Sequence, residues 1–187
     1  MPSSGVHLMV AQKVRPHGSD LFFTGSIAPD AVDGRYEKDK SHFRDVEDRH
    51  GALVALAEKT TGDFAEGVLL HLYADWKWDI SILQEFIEKS DASWFATYRY
   101  ENGLASNYAF QKAKWLKPVF DKIAEVNPND YGKIPGASPE KIKEYITKTY
   151  KWHTENITAP SSAFPPDVIE KFTSQCAEEY LLWRKER

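Results

Sequence analysis

Apolar positions along this chain step by three and four residues, and no alternating run of strand type stands out. The clearest case is Phe64, Val68, His71, Asp75, Trp78, Ile82 and Phe86, which share one face of a helix predicted from about Asp63 to Lys89. Other periodic stretches predict helices over Val6 to Val14, Val46 to Thr60, Leu104 to Val126 with an interruption near Pro118, Ser138 to Glu155, and Asp167 to Lys185. Leu53, Leu56 and Ala57 form the inner face of the second, and His50 is expected at the surface. Ser138-Pro139-Glu140 has the form of a helix start, a capping serine followed by proline at the first helical position. Between these stretches lie breaker clusters. They are Pro16-His17-Gly18-Ser19, a compact non-helical loop over 24–34, a charged exposed run over 35–40, a Glu101-Asn102-Gly103 turn and a Pro/Ser linker over 158–166. The expected fold is all-α, a single domain over 1–187 with about six helices in a bundle.

Two polar residues interrupt the apolar stripe of the 63–89 helix. His71 and Asp75 are one turn apart, about 40° around the axis, so they face the same way. A carboxylate turned to a core is costly unless something compensates it. A metal ion does this, and so does a buried hydrogen bond; for these two residues alone the hydrogen-bonded core pair is the commoner reading. His7 in the first apolar stretch, Asp30 in the compact loop and His42 after the charged run complete a set of five nitrogen and oxygen donors. Such a set, without cysteine, suits Zn²⁺, Mn²⁺ or Fe²⁺.

Composition narrows the picture. With 187 residues, 42% of them hydrophobic, and 10 Phe, 9 Tyr and 6 Trp, the chain carries enough apolar mass for one substantial core. A net charge of −4 opposes a nucleic-acid partner, which calls for a basic face. The single cysteine, Cys176, excludes an intrachain disulfide and a Cys-based zinc site. Residues 1–5 lack the charged and apolar regions of a leader, and no apolar run approaches the ~18 residues of a membrane span, so a soluble cytoplasmic protein is expected.

Four stretches in order carry a family resemblance: Gly5-Val6-His7, Gly25-Ser26-Ile27-Ala28-Pro29-Asp30, Lys40-Ser41-His42-Phe43 and Gly67-Val68-Leu69-Leu70-His71-Leu72-Tyr73-Ala74-Asp75. Together they resemble the zinc-dependent phospholipase C superfamily, which includes the S1/P1-type nucleases. The resemblance covers about residues 5–80 and points to a shortened, intracellular bacterial member with a metal-binding half over 5–89 and a helical remainder over 90–187. It implies one metal held by Asp30, His42, His71 and Asp75, with Asp75 bridging to a second that also takes His7. In secreted members the N-terminal residue completes the second site; here Ser3, Ser4 or water is expected in its place. The third zinc of the family needs a His-x-x-x-Glu motif, absent here, and the only later histidine is His153. One or two ions are therefore expected, with Asp79 as an additional candidate donor.

The implied activity is hydrolysis of a small-molecule or lipid phosphoester, with metal-activated hydroxide as nucleophile and Asp30 as a ligand that also orients the water. Lys38, Lys40 and Arg44 flank His42 and are candidates to meet a phosphate, although such a run is more commonly a solvated face. Trp76, Trp94, Tyr98 and Tyr100 are candidates to line a pocket, whereas Trp78 is assigned to the core. Two other readings stand beside this one. A non-catalytic helical module would hold a structural metal, and an HD-type phosphohydrolase is disfavoured because no His-Asp dipeptide occurs.

Overall fold

A computed structural model describes residues 2–187. Among them the chain forms ten α-helices: α1 (Ser4–Val14), α2 (Asp20–Gly25), α3 (Arg35–Ser41), α4 (Arg49–Ala57), α5 (Asp63–Asp79), α6 (Ile82–Glu88), α7 (Trp94–Lys112), α8 (Leu116–Glu125), α9 (Pro139–Glu155) and α10 (Pro166–Lys185). Short 3-10 turns occupy Ala28–Ala31 and Pro128–Asp130. No strand is present among the described residues, and the all-α class holds. Ten helices replace the expected six, for local reasons that can be named.

The predicted 63–89 helix is two. Ser81 turns its hydroxyl back onto the Lys77 carbonyl at 2.6 Å, and its backbone leaves the helical region, so α5 stops at Asp79 and α6 starts afresh. The predicted 104–126 helix also divides, at Ala113 in extended conformation. Pro118 then falls in the first turn of α8, where a missing N–H costs little. The Glu101-Asn102-Gly103 turn is instead the interior of α7. Tertiary bonds hold it there. The Glu101 carboxylate accepts from Ser161 Oγ at 2.6 Å, from the Ser162 N–H at 2.8 Å and from the Ala163 N–H at 3.1 Å, and Asn102 Oδ1 accepts from the Ser3 N–H at 3.1 Å. The charged run over 35–40 is helical as well, forming α3.

Three starts follow capping chemistry. Ser19, Asp48 and Ser138 accept from the N–H groups of Phe22, Gly51 and Lys141, at the heads of α2, α4 and α9.

α5 is the central element. Its predicted single apolar stripe is too narrow a description, because Leu69, Leu70, Leu72, Tyr73 and Ala74 are buried along with Phe64, His71, Asp75 and Trp78. A helix apolar nearly all round must be enclosed. α1, α2, α4, α6 and α10 pack on it. The α2–α5 contact is unusually close, because two glycines meet there. A Cβ on Gly67 would lie 2.2 Å from the Phe22 carbonyl oxygen, and one on Gly25 would lie 2.1 Å from that of Phe64. No helix among the described residues is long and apolar enough to cross a membrane.

Candidate metal centre

Each of the five sequence-predicted donors is placed by a different local device. His7 lies in α1 and points from a helix that is itself buried on most sides. Asp30 belongs to the 3-10 turn over Ala28–Ala31, which gives the fixed frame expected of the compact loop. His42 is the C-cap of α3. His71 and Asp75 lie one turn apart in α5. The structure brings all five together. His7, His71 and Asp75 each offer one ligand atom within 4.8 Å of the others, and so do Asp30, His42 and His71. His42, His71 and Asp75 are 0% exposed and His7 is 1% exposed.

Backbone carbonyls orient two of the imidazoles. His71 Nδ1 lies 2.9 Å from the Ser26 carbonyl, which accepts its proton, and His42 Nδ1 lies 2.8 Å from that of Lys38. Each ring therefore turns an Nε2 lone pair inward, and the two Nε2 atoms are 3.3 Å apart with no donor between them. The His7 ring stacks on His71 at 3.8 Å, inclined by 14°. Neither His7 nitrogen has a hydrogen-bond partner, nor does Asp75 Oδ1. His7 Nε2 and Asp75 Oδ1 are 3.3 Å apart but poorly aligned. Asp75 Oδ2 faces the other way, 3.6 Å from His42 Nε2 and 3.9 Å from His71 Nε2. The carboxylate thus turns one oxygen to each triad.

The electrostatics follow from burial. Burial depresses the His71 imidazole well below its ordinary value, with the neighbouring His7 adding to the effect, and burial also lowers His42. Both rings are therefore neutral at neutral pH, the form in which an imidazole can bind a metal. Burial pushes Asp30 and Asp75 up, but their neighbours outweigh it. Lys38 holds Asp30 below the usual carboxylate range, and Asp75 is held well below it, chiefly by the His7 side chain 3.3 Å away.

Lys38 and Arg44 cap the cluster. Lys38 Nζ is 2.7 Å from Asp30 Oδ1, and Arg44 spans Asp75 Oδ2 at 3.4 Å and Asp79 Oδ2 at 2.8 Å. They are paired rather than simply solvated, while Lys40 is exposed. Asp79 is engaged by Arg44 and also by Arg49, at 2.8 Å.

A search against protein families, curated proteins and solved structures finds no match to the chain.

Other expectations are corrected by the geometry. The aromatic residues expected to line a pocket do not share one environment. Trp78 is core and donates to the Tyr98 hydroxyl at 2.8 Å, as its assignment required, but Tyr98 is buried with it and Tyr100 is exposed. A cavity of about 690 Å³ is lined by Pro29, Phe43, Val68, Leu72 and Ile134 with Lys40, Lys59 and Lys133 among its polar groups, and by none of the expected Trp and Tyr residues. It abuts the segments that carry Asp30, His42 and His71. His50 is exposed, as expected, although it accepts from Trp183 Nε1 at 3.3 Å and packs on Trp76. His153 bonds Ser106 Oγ at 2.8 Å and the Thr149 carbonyl at 2.7 Å, which occupies both its nitrogens away from the cluster. Ser4 bonds Tyr145 at 2.6 Å, and Ser3 Oγ is buried without a partner. Met1, ahead of these serines, lies outside the described residues.

Sequence reasoning missed Tyr145. Its hydroxyl, on α9, reaches Asp30 Oδ2 at 3.4 Å across 115 positions of chain. Nothing local marks it; only its burial in α9 beside the Asp30 turn assigns it to the site.

Proposed function

We propose that His7, Asp30, His42, His71 and Asp75 form a divalent metal centre, and that the protein is a metal-dependent phosphoester hydrolase akin to the zinc-dependent phospholipase C superfamily. One observation carries this reading. Five donors from four separate segments converge in a buried volume, while His7 Nε2 and Asp75 Oδ1 find no hydrogen-bond partner. A buried core pair of the ordinary kind would satisfy those atoms, because an unpaired buried polar group costs roughly 1–3 kcal/mol. The donor set fits zinc, or Mn²⁺ or Fe²⁺, in type and number.

His71 belongs to both triads but has one inward lone pair, so it can serve only one ion. A second ion would rely on Asp75, whose two oxygens face opposite sides. A bound ion supplies Lewis acidity, bringing the pKa of water from 15.7 to about 7 and offsetting charge on a phosphoryl oxygen. The chain's own residues set the frame for this. Ser26 and the Lys38 carbonyl lock the His71 and His42 rings, and Tyr145 and Lys38 fix the two oxygens of Asp30. Asp30 is held too acidic to accept a proton readily, so its role is to hold and orient.

A structural metal is the second reading, favoured by the near-complete burial of four of the five donors. Metal analysis of the purified protein, followed by a panel of phosphoesters with and without the metal found, separates them. Turnover that follows metal content is the expected result. Stoichiometric metal with no turnover on any phosphoester favours the structural reading, and absence of metal at every loading condition overturns both.

A further inference from the structure

Carboxylates and cations are paired throughout the cluster. Asp30, Asp75 and Asp79 lie against Lys38, Arg44 and Arg49 at 2.7–3.4 Å, and Asp39 lies 4.0 Å from Arg44. His42 and His71 add no charge as their carbonyl bonds orient them, since each keeps an inward lone pair. A divalent ion entering among these pairs adds two positive charges and displaces cations from carboxylates that are already paired. Buried uncompensated charge is strongly unfavourable. An anion must therefore accompany the ion, and it needs donors.

Those donors are in place. Lys38 and Arg44 are 25% and 22% exposed, whereas His42, His71 and Asp75 are 0% exposed, so the two cations form the solvent side of the cluster. Behind them Arg49 keeps Nε and one terminal nitrogen without partners. Lys38 and Arg44 flank His42 on one segment. Between them stands Phe43 at φ 54°, the only non-glycine residue with positive φ among the described residues. This left-handed step is unfavourable for a bulky side chain, and the Arg44 N–H closes it by donating to the Asp39 carbonyl at 2.8 Å. The turn is what brings Arg44 back over Asp75.

We propose that Lys38 and Arg44 are the phosphoryl-anion receptor of this centre: they lie on the carboxylates that a divalent ion takes, give them up to the ion, and bind the anion whose charge the ion then requires. The inference rests on the metal reading above and extends it to how substrate is held. A guanidinium presents a planar fork and an ammonium a mobile point charge, a combination suited to the several oxygens of a phosphoryl group. Metal and anion must then bind cooperatively, each raising the affinity of the other by the same factor, on the order of tenfold.

The test measures Zn²⁺ affinity by competition with a chromophoric chelator, with and without inorganic phosphate, on wild type, Lys38→Gln, Arg44→Gln and Arg44→Lys. Phosphate is expected to tighten zinc binding by wild type. Without phosphate, Lys38→Gln and Arg44→Gln should bind zinc more tightly than wild type, because a competing cation is gone, and should lose the phosphate effect. Arg44→Lys, which keeps the charge, should stay close to wild type. Lys38 is partly exposed on a surface helix, so Lys38→Gln serves as the reading should Arg44→Gln fold poorly; circular dichroism checks both. Zinc bound by wild type with no response to phosphate, or bound more weakly by Lys38→Gln, overturns this inference alone. No zinc uptake by wild type overturns the metal reading as well.

Discussion

Asp75 is the residue on which the site turns. It is fully buried, shares one oxygen among Arg44, His42 and His71, and directs the other at His7. Asp75→Asn keeps the shape and one carbonyl oxygen but removes the charge and the second acceptor. Zinc affinity is expected to fall at least about a hundredfold, the upper end of what lost outer-shell partners cost, with helical content unchanged by circular dichroism. Asp79→Asn, one turn further on, makes the control. It removes the negative charge that Arg44 and Arg49 share, so the expected loss is in stability, on the order of 1–3 kcal/mol, with zinc retained. The reverse pattern, zinc lost by Asp79→Asn and kept by Asp75→Asn, would mean the wrong carboxylate had been chosen. The i, i+4 spacing of His71 and Asp75 was readable because helix geometry alone puts the two on one face. Tyr145 was not, because its link to Asp30 depends on how α9 lies against the 28–31 turn.

At the level of elements, the approach of α2 to α5 sets the position of the Ser26 carbonyl that orients His71. Gly67 makes this approach possible, since a Cβ there would meet the Phe22 carbonyl oxygen at 2.2 Å and the Ser26 N at 2.8 Å. Both are backbone atoms and cannot swing aside. Gly67→Ala is therefore expected to cost about 1–3 kcal/mol through overpacking, and to weaken zinc binding as well by moving Ser26. Gly34→Ala is the comparison. Its Cβ meets nothing within 4 Å, but φ is 79°, so only backbone strain of about 1 kcal/mol is expected, with no effect on zinc. Equal effects of the two on zinc would show that the close contact does not govern the site. The glycine itself is visible in the sequence as a lone Gly inside an apolar helix. What it permits is visible only once the partner helix is known.

For the molecule as a whole, the donors span positions 7 to 75 and come from α1, the 28–31 turn, the end of α3 and α5. An ion held by donors from several of these segments would exist only in the folded chain, and would stabilise it by mass action, about 4 kcal/mol at a thousandfold excess over Kd. Chelation should then lower the melting temperature by roughly 10 °C, given about 2–4 °C per kcal/mol for a chain of this size. An unchanged melting temperature after verified removal of metal would exclude an ion embedded in this core. The sequence by itself determined the all-α class, the cap at Ser138, the central helix and the pairing of His71 with Asp75, because these depend on periodicity and local backbone chemistry within a few turns. Tertiary structure decided the rest. It kept Glu101 and Asn102 helical by bonding them to Ser161–Ala163 and Ser3, and it set Lys38 and Arg44 on Asp30 and Asp75 instead of in solvent. Such choices depend on which distant groups a buried donor, acceptor or charge finds as partner, and no local pattern encodes that.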